Sequence, residues 1–397
     1  MVRIHPVPGF SVDPAYAARV SPPPHDNLTA LERRKVMEAE PYSFLNVLRS
    51  SYDYPPESRP PPDEVRRHAA AHLQRLIDEG IFITTPEPSY YLYALKTPGH
   101  RQVGVIAELS VDLIESVIKP HERIRPERAD DLATFLADVR VSSSPVVVTY
   151  PADRQIDQLV DRVTSALEPI LSFTSDDGLH QTVWRLSAGD RHLLEDGFDG
   201  IDLLYLLDGH HRSAAAQLHA AQEPGEHYLL VAMFPSDQLQ VGGFDRYVTT
   251  SVDETVILER LAEQGFAISK LTEIPKPPPV REEMVMFLGG DWYRLVDQLP
   301  APADVVDALA VSSLHQRIIR SVMEADDADV SEVSYVPSTG TLQVVEDRCG
   351  QSKEVGLAVL PPTVEEVMKV AEAGGLMPPK STFFVPKARS GVFLVPR

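Results

Sequence analysis

Leu203-Leu204-Tyr205-Leu206-Leu207-Asp208-Gly209-His210-His211-Arg212-Ser213-Ala214-Ala215-Ala216 is the stretch that decides how this chain is read. An apolar run of strand length stops at an Asp-Gly turn, and strong helix formers follow two histidines and an arginine. The pattern predicts a strand over 201–207, a tight turn and a helix over 209–222. The polar residues concentrate at the junction. The first turn of a helix presents unpaired backbone N–H groups and the positive end of its dipole. Such a site favours anions, phosphate above all. Gly209 lets the backbone come close, and Arg212 offers a bidentate fork to phosphate oxygens. Asp208 stands at the carboxyl end of the strand, where it can face a substrate. The same residues also allow a plainer reading: an N-cap aspartate beside a buried or surface histidine pair.

Outward from this turn, the bulk numbers narrow the class. The 397 residues allow one large domain or two to three ordinary ones. A net charge of −21, from 37 basic and 58 acidic residues, argues against a broad nucleic-acid footprint. It leaves room for a small basic pocket that holds one nucleotide. The single cysteine, Cys349, excludes an intrachain disulfide or a multi-cysteine metal site and fits a reducing compartment. Residues 1–10 lack the features of a signal peptide, and no apolar run approaches a membrane span. The expectation is a soluble, cytoplasmic protein. The 35 prolines cluster at 22–24, 55–56, 60–62, 275–279 and 361–362 and mark loops and element ends.

Asn27 and Thr29 signal the start of a helix over 30–40. Ala69, Leu73, Leu76 and Ile77 line one face of a helix over 65–79. Further helices are predicted at 127–139, 156–167, 254–264, 303–311 and 363–373. Strands are predicted at 89–95, 103–109, 145–150, 181–186, 227–234, 284–288, 332–335, 356–359 and 392–395, the first two as a hairpin. No regular βαβ beat appears, so the expected class is α+β. The expected domains are a catalytic core with an N-terminal extension over 1–250 and an α+β portion over 251–397.

Three further groupings are candidates for chemistry. His121-Glu122-Arg123, with Arg125, lies in a proline-bounded loop; a carboxylate beside cations serves as a general base or holds a metal. Lys380-Ser381-Thr382 and Lys387-Ala388-Arg389-Ser390-Gly391 could line an anion site with cations folded back over the pocket. Asp245-Arg246 follows a glycine turn and fits a structural salt bridge equally well. The first two of these have plain readings as a solvated loop and a basic surface loop. Adjacent His210 and His211 diverge by about 100° on a helix and do not chelate one metal together. Magnesium, held by carboxylate and phosphate oxygens, is the more natural ion.

Four of these stretches resemble a bacterial and archaeal family long catalogued as a domain of unknown function, which shares a ParB/sulfiredoxin-like core with the free serine kinases. Pro23-Pro24-His25-Asp26 is similar to its Pro-Pro-Tyr-Asp motif, with His25 in place of the tyrosine. Pro120-His121-Glu122 resembles its Pro-His-Glu motif. Asp208-Gly209-His210-His211-Arg212 matches its D-G-H-H-R signature. Residues 377–391 resemble its C-terminal motif. At 244–246 the family commonly has Asn-Arg, so Asp245 introduces an anion.

The resemblance implies a kinase that moves a phosphoryl group from ATP or ADP to the hydroxyl of free L-serine, giving O-phosphoserine, or of a similar compound. Under it, Glu122 is the catalytic carboxylate, and Asp208 orients the hydroxyl or holds Mg2+. Gly209, His210, His211, Arg212, His121, Arg123, Lys380, Ser381 and Thr382 bind phosphate or nucleotide. Asp245, Arg246 and Arg389 contact the acceptor. The partners are then a nucleotide and a small hydroxy amino acid, with no nucleic acid and no membrane. The alternative is a ParB-like nucleotide switch that hydrolyses nucleotide slowly and acts through a protein partner.

Overall fold

Strand Leu204–Asp208 and helix His210–Ala220 meet at Gly209, which has φ +97°, a left-handed conformation that glycine adopts without strain. The computed structural model describes residues 1–25, 28–85, 87–326, 331–338 and 340–397. Asp26 and Asn27, invoked above for a motif and a helix cap, lie outside the described residues. Two units divide the chain: Met1–Leu239 together with Pro386–Arg397, and Gln240–Val385. The sequence suggested one boundary at 250/251; here the segment after Val385 groups with the first unit.

The first unit is built on a mixed sheet. Its strands run in the order Ile118–Lys119, Leu204–Asp208, Val146–Tyr150, Tyr228–Pro235, His100–Ser110, Tyr91–Thr97, His180–Arg185 and Leu171–Thr174. The predicted hairpin forms, with Thr97 opposite His100 at its turn. Helices and a mixed sheet without a repeated βαβ unit make the fold α+β, as expected. The core holds Leu92, Val105, Val148, Leu204, Val231 and Met233, all essentially inaccessible to water.

Helix Arg154–Ala166 shows why the outer layer forms. Ile156, Leu159, Val160 and Val163 fall on one face and are buried. Asp153 caps the helix by accepting from the backbone N–H groups of Gln155 at 2.9 Å and Ile156 at 3.1 Å. Helix Pro126–Val139 starts with proline at its first turn, where a missing N–H costs nothing. It packs on helix His210–Ala220, and the buried positions of the two helices include the small residues Ala129 and Ala133 on one and Ala215 and Ala216 on the other. This contact sets the loop before one helix beside the first turn of the other.

A bulge also shapes the junction. Leu206 pairs with Val148, but Asp208 pairs with Val147, so Leu207 is an extra residue. Bulges re-aim the side chains that follow them. Strand Phe393–Pro396 joins Phe10–Val12 on one side and Val141–Ser142 on the other. Buried Val392–Val395 and the Phe393 ring, 5.1 Å from that of Tyr91, anchor this segment.

The second unit carries an antiparallel sheet in the order Phe266–Leu271, Asp291–Asp297, Glu283–Leu288, Val355–Val359, Phe244–Val248 and Val333–Pro337. Its two ends meet: Gln240–Gly242 pairs antiparallel with Phe383–Val385. The helix expected over 303–311 is displaced. Asp304 accepts from the backbone N–H groups of Val306 and Asp307 in a local turn, and helical structure begins at Ala310. Cys349 is buried, and burial pushes its thiol up to about 12, which fits an inert packing residue. Among the described residues, no helix is long and apolar enough to cross a membrane.

Candidate functional site

Ile118–Lys119 runs parallel to Leu204–Asp208, with Lys119 opposite Tyr205. Both strands therefore deliver their next residues to the same edge of the sheet. One delivers the loop carrying His121, Glu122 and Arg123, and the other delivers Asp208 to Arg212. Ligands in open sheets bind at such carboxyl ends.

Asp208 is the electrostatic centre. One carboxylate oxygen pairs with the Arg212 guanidinium, and the other accepts from Lys387 Nζ at 2.8 Å. Arg212 also donates to the Pro145 carbonyl at 3.0 Å. Two cations on one carboxylate leave positive charge in excess at the helix N-terminus. The side chains of Asp208 and Arg212 are 27% and 30% exposed, so this charge is open to solvent. Gly209 is required here by its positive φ, and an added Cβ would sit 2.9 Å from Arg212 Nε and push that side chain aside.

His121 and His210 are held neutral by burial. Burial pushes His121 down to about 4. Burial pushes His210 down to about 3. Desolvation removes positive charge from His210 and His121, so the cations that meet Asp208 are Arg212 and Lys387. The His121 and His210 rings meet edge to face, with centroids 4.8 Å apart. His210 Nε2 accepts the His121 backbone N–H at 3.4 Å, and His211 Nε2 accepts that of Arg125 at 2.9 Å. His210 Nδ1 lies 3.9 Å from Glu122 Oε2. With a neutral imidazole, this contact is a dipole facing a carboxylate rather than an ion pair.

The family described as protein of unknown function DUF1015 matches residues 4–316. The chain belongs to the DUF1015 family. No curated protein matches it at the sequence level. Among solved structures, a conserved hypothetical protein from Pyrococcus furiosus is 15% identical, covering 74% of this chain and 94% of that one at a TM-score of 0.39. A free serine kinase variant in complex with ADP is 14% identical, covering 73% of this chain and 91% of that one at a TM-score of 0.40. SbnI from Staphylococcus aureus, truncated at its C-terminus, is 16% identical over 73% of this chain and 87% of that one, at a TM-score of 0.39.

The remaining candidates of this DUF1015 chain fall into two groups. Arg389 lies in the first unit, buried, paired with Asp177 and 3.5 Å from the Pro22 carbonyl. Its backbone N–H reaches the Tyr93 hydroxyl at 3.4 Å. Arg389 thus joins the C-terminal motif to the residue before the N-terminal motif. His25, in that motif, lies 3.9 Å from Asp53. Arg123 is exposed.

The second unit holds the rest. Lys380 is exposed, with its Nζ 5.4 Å from the centre of the Phe244 ring. The buried Ser381 hydroxyl donates to the Pro378 carbonyl at 2.7 Å, and Thr382 is also buried. Asp245 accepts from the Ser338 hydroxyl, and burial raises its carboxyl. Arg246 donates to the carbonyls of Phe244 at 2.5 Å and Lys380 at 3.2 Å, and burial lowers it to about 10.

Lys387, offered by the sequence only as one member of a candidate anion-site run, is the member of that run that meets Asp208. Its only sequence signal is its place in the run Lys387-Ala388-Arg389-Ser390-Gly391. A second tie fixes the same segment: the hydroxyls of Ser390 and Ser144 are 2.5 Å apart.

Magnesium at Asp208 does not fit this arrangement. Both carboxylate oxygens face cations, which compete with and repel a metal ion. Among the described residues, no group of three or more His, Cys, Asp or Glu side chains is placed to hold one. Asp208 is instead the anchor of Arg212 and Lys387.

Proposed function

We propose that this chain is a small-molecule kinase that transfers a phosphoryl group from ATP or ADP to the hydroxyl of free L-serine or a similar hydroxy compound. The observation that carries the reading is the shared sheet edge. There, the Glu122 carboxylate stands beside a helix N-terminus whose Asp208 holds two cations. Phosphoryl transfer asks a protein mainly for positioning and charge neutralisation, plus a base for the hydroxyl proton. Arg212, Lys387 and the first N–H groups of helix His210–Ala220 supply the positive field for the phosphates. Glu122, partly exposed, takes the proton from the acceptor hydroxyl. The hydroxyl oxygen then bonds to the terminal phosphorus as the bond to the nucleotide breaks. ATP leaves as ADP, and ADP would leave as AMP. The match to D-G-H-H-R and Pro-His-Glu supports this reading and a ParB/sulfiredoxin-like core in the first unit. A nucleotide donor and a lone buried cysteine fit a cytoplasmic enzyme.

The test is a transfer assay with ATP or ADP, magnesium chloride and a panel of hydroxyl compounds led by L-serine, read by mass spectrometry. O-phosphoserine should form, and Glu122→Gln should lower kcat by about 10²–10⁴-fold, the usual contribution of a general base. Asp208→Asn should raise the nucleotide KM by releasing Arg212 and Lys387. Nucleotide turnover indifferent to every acceptor would replace the kinase with a ParB-like nucleotide switch.

A further inference from the structure

We propose that His210 and His211 are positioning residues whose Nε2 lone pairs clamp the 121–125 loop, and with it Glu122, onto the start of helix His210–Ala220. Two bonds carry the inference: His121 N–H to His210 Nε2 at 3.4 Å, and Arg125 N–H to His211 Nε2 at 2.9 Å. The donors are four residues apart and bracket Glu122 and Arg123. Pro120 and Pro126 close the loop at both ends, lack N–H groups and fix their own φ. The loop therefore depends on partners outside itself for its amide hydrogen bonds. Adjacent helical side chains point about 100° apart. That divergence defeats a shared metal ion but suits two separate points on a passing strand of backbone.

The chemistry fixes the state of each ring. An imidazole nitrogen accepts an N–H only while it carries no proton, so both rings are neutral Nδ1–H tautomers in the clamped form. His210 then turns its Nδ1–H toward Glu122 Oε2, 3.9 Å away. The titratable and charged groups facing His210 are Asp208, Arg212, His121, His211 and Glu122. Burial dominates them and keeps the ring neutral. A protonated ring would lose its acceptor and present N–H against N–H. The clamp needs no nucleotide; its effect on turnover rests on reading Glu122 as the base.

The experiment has two parts that do not depend on turnover. In the wild-type protein, 15N imidazole shifts at neutral pH should show Nε2 unprotonated in both residues. Amide hydrogen exchange at Arg125 should quicken about fivefold in His211→Ala, the factor for one hydrogen bond of ordinary net strength, and return in His211→Gln, whose carbonyl can accept. His211 is partly exposed, so its variants are the safer ones for folding. In the transfer assay, His211→Ala should lower kcat more than it changes the nucleotide KM, with rescue in His211→Gln. A protonated Nε2 or unchanged exchange at Arg125 overturns the clamp. An intact clamp with full turnover in Glu122→Gln leaves the clamp standing and overturns the role given to Glu122.

Discussion

Asp208 with Arg212 and Asp245 with Arg246 are the same two residue types in two different settings. The first pair sits at a helix start with both side chains more than a quarter exposed. Asp208 pairs with Arg212 and Lys387, so opening the pair to a ligand exchanges one ionic partner for another. The second pair lies in strand Phe244–Val248, and both residues are about 97% buried. Arg246 spends its donors on the Phe244 and Lys380 carbonyls, and Asp245 holds Ser338. Charge in the first pair is available; charge in the second is committed to the fold. Sequence distance from a glycine turn does not distinguish them, whereas burial and the identity of the partner do.

The largest expected difference is in stability. Arg246→Met should destabilise the fold by about 3–5 kcal/mol in urea unfolding, because the buried Asp245 loses its nearby cation and two carbonyls lose a donor. A rise in acceptor KM with unchanged unfolding would instead return Arg246 to the substrate site that the sequence suggested. Arg212→Ala should show the reverse pattern. Its kcat/KM for the nucleotide should fall about 10²–10³-fold, while stability changes by less than about 1 kcal/mol. Equal losses in both assays would erase the contrast.

Gly209→Ala should cost about 1–3 kcal/mol, from the positive φ, and displace Arg212. Stability against pH is the next test. An unfolded histidine titrates near 6.5, whereas folded His121 and His210 sit at about 4 and about 3. Unfolding therefore takes up protons below pH ~6.5. Stability is full above that pH and falls as pH drops toward 4, by up to about 1.4 kcal/mol per pH unit for each histidine. A flat profile between pH 7 and 5 would mean these rings are solvated. The smallest effect is Lys387→Met: under about 1 kcal/mol in stability, with nucleotide KM raised and less sensitive to salt than in the wild type.

What the sequence disclosed follows from range. The strand, turn and helix at 204–220 were legible because apolar run, Asp-Gly turn and alanines are all local. The loop at 120–126 was legible because its two prolines bound it. The pairing of Lys387 with Asp208 was not, because the two lie 179 residues apart and nothing near Lys387 encodes that contact. Strands Phe266–Leu271 and Asp291–Asp297 escaped notice for another reason: Ser269, Lys270 and Arg294 interrupt their apolar pattern. The role of the histidines was also hidden. Composition suggests charge at this turn, and only burial shows that the His210 and His121 rings carry none.

The pairing of Gln240–Gly242 with Phe383–Val385 brings the entry and exit of the second unit side by side. Topologically, that unit is an insertion spliced into the first between Leu239 and Pro386. Opposed residues on an antiparallel pair lie roughly 5 Å apart at their Cα atoms, a gap that a two-residue turn can span. Excising 241–384 and joining the opposed Gln240 and Val385 with such a turn should yield a minimal protein that still carries the strand Leu204–Asp208, the clamp and Lys387. Natural insertions and deletions are accommodated at places of this kind.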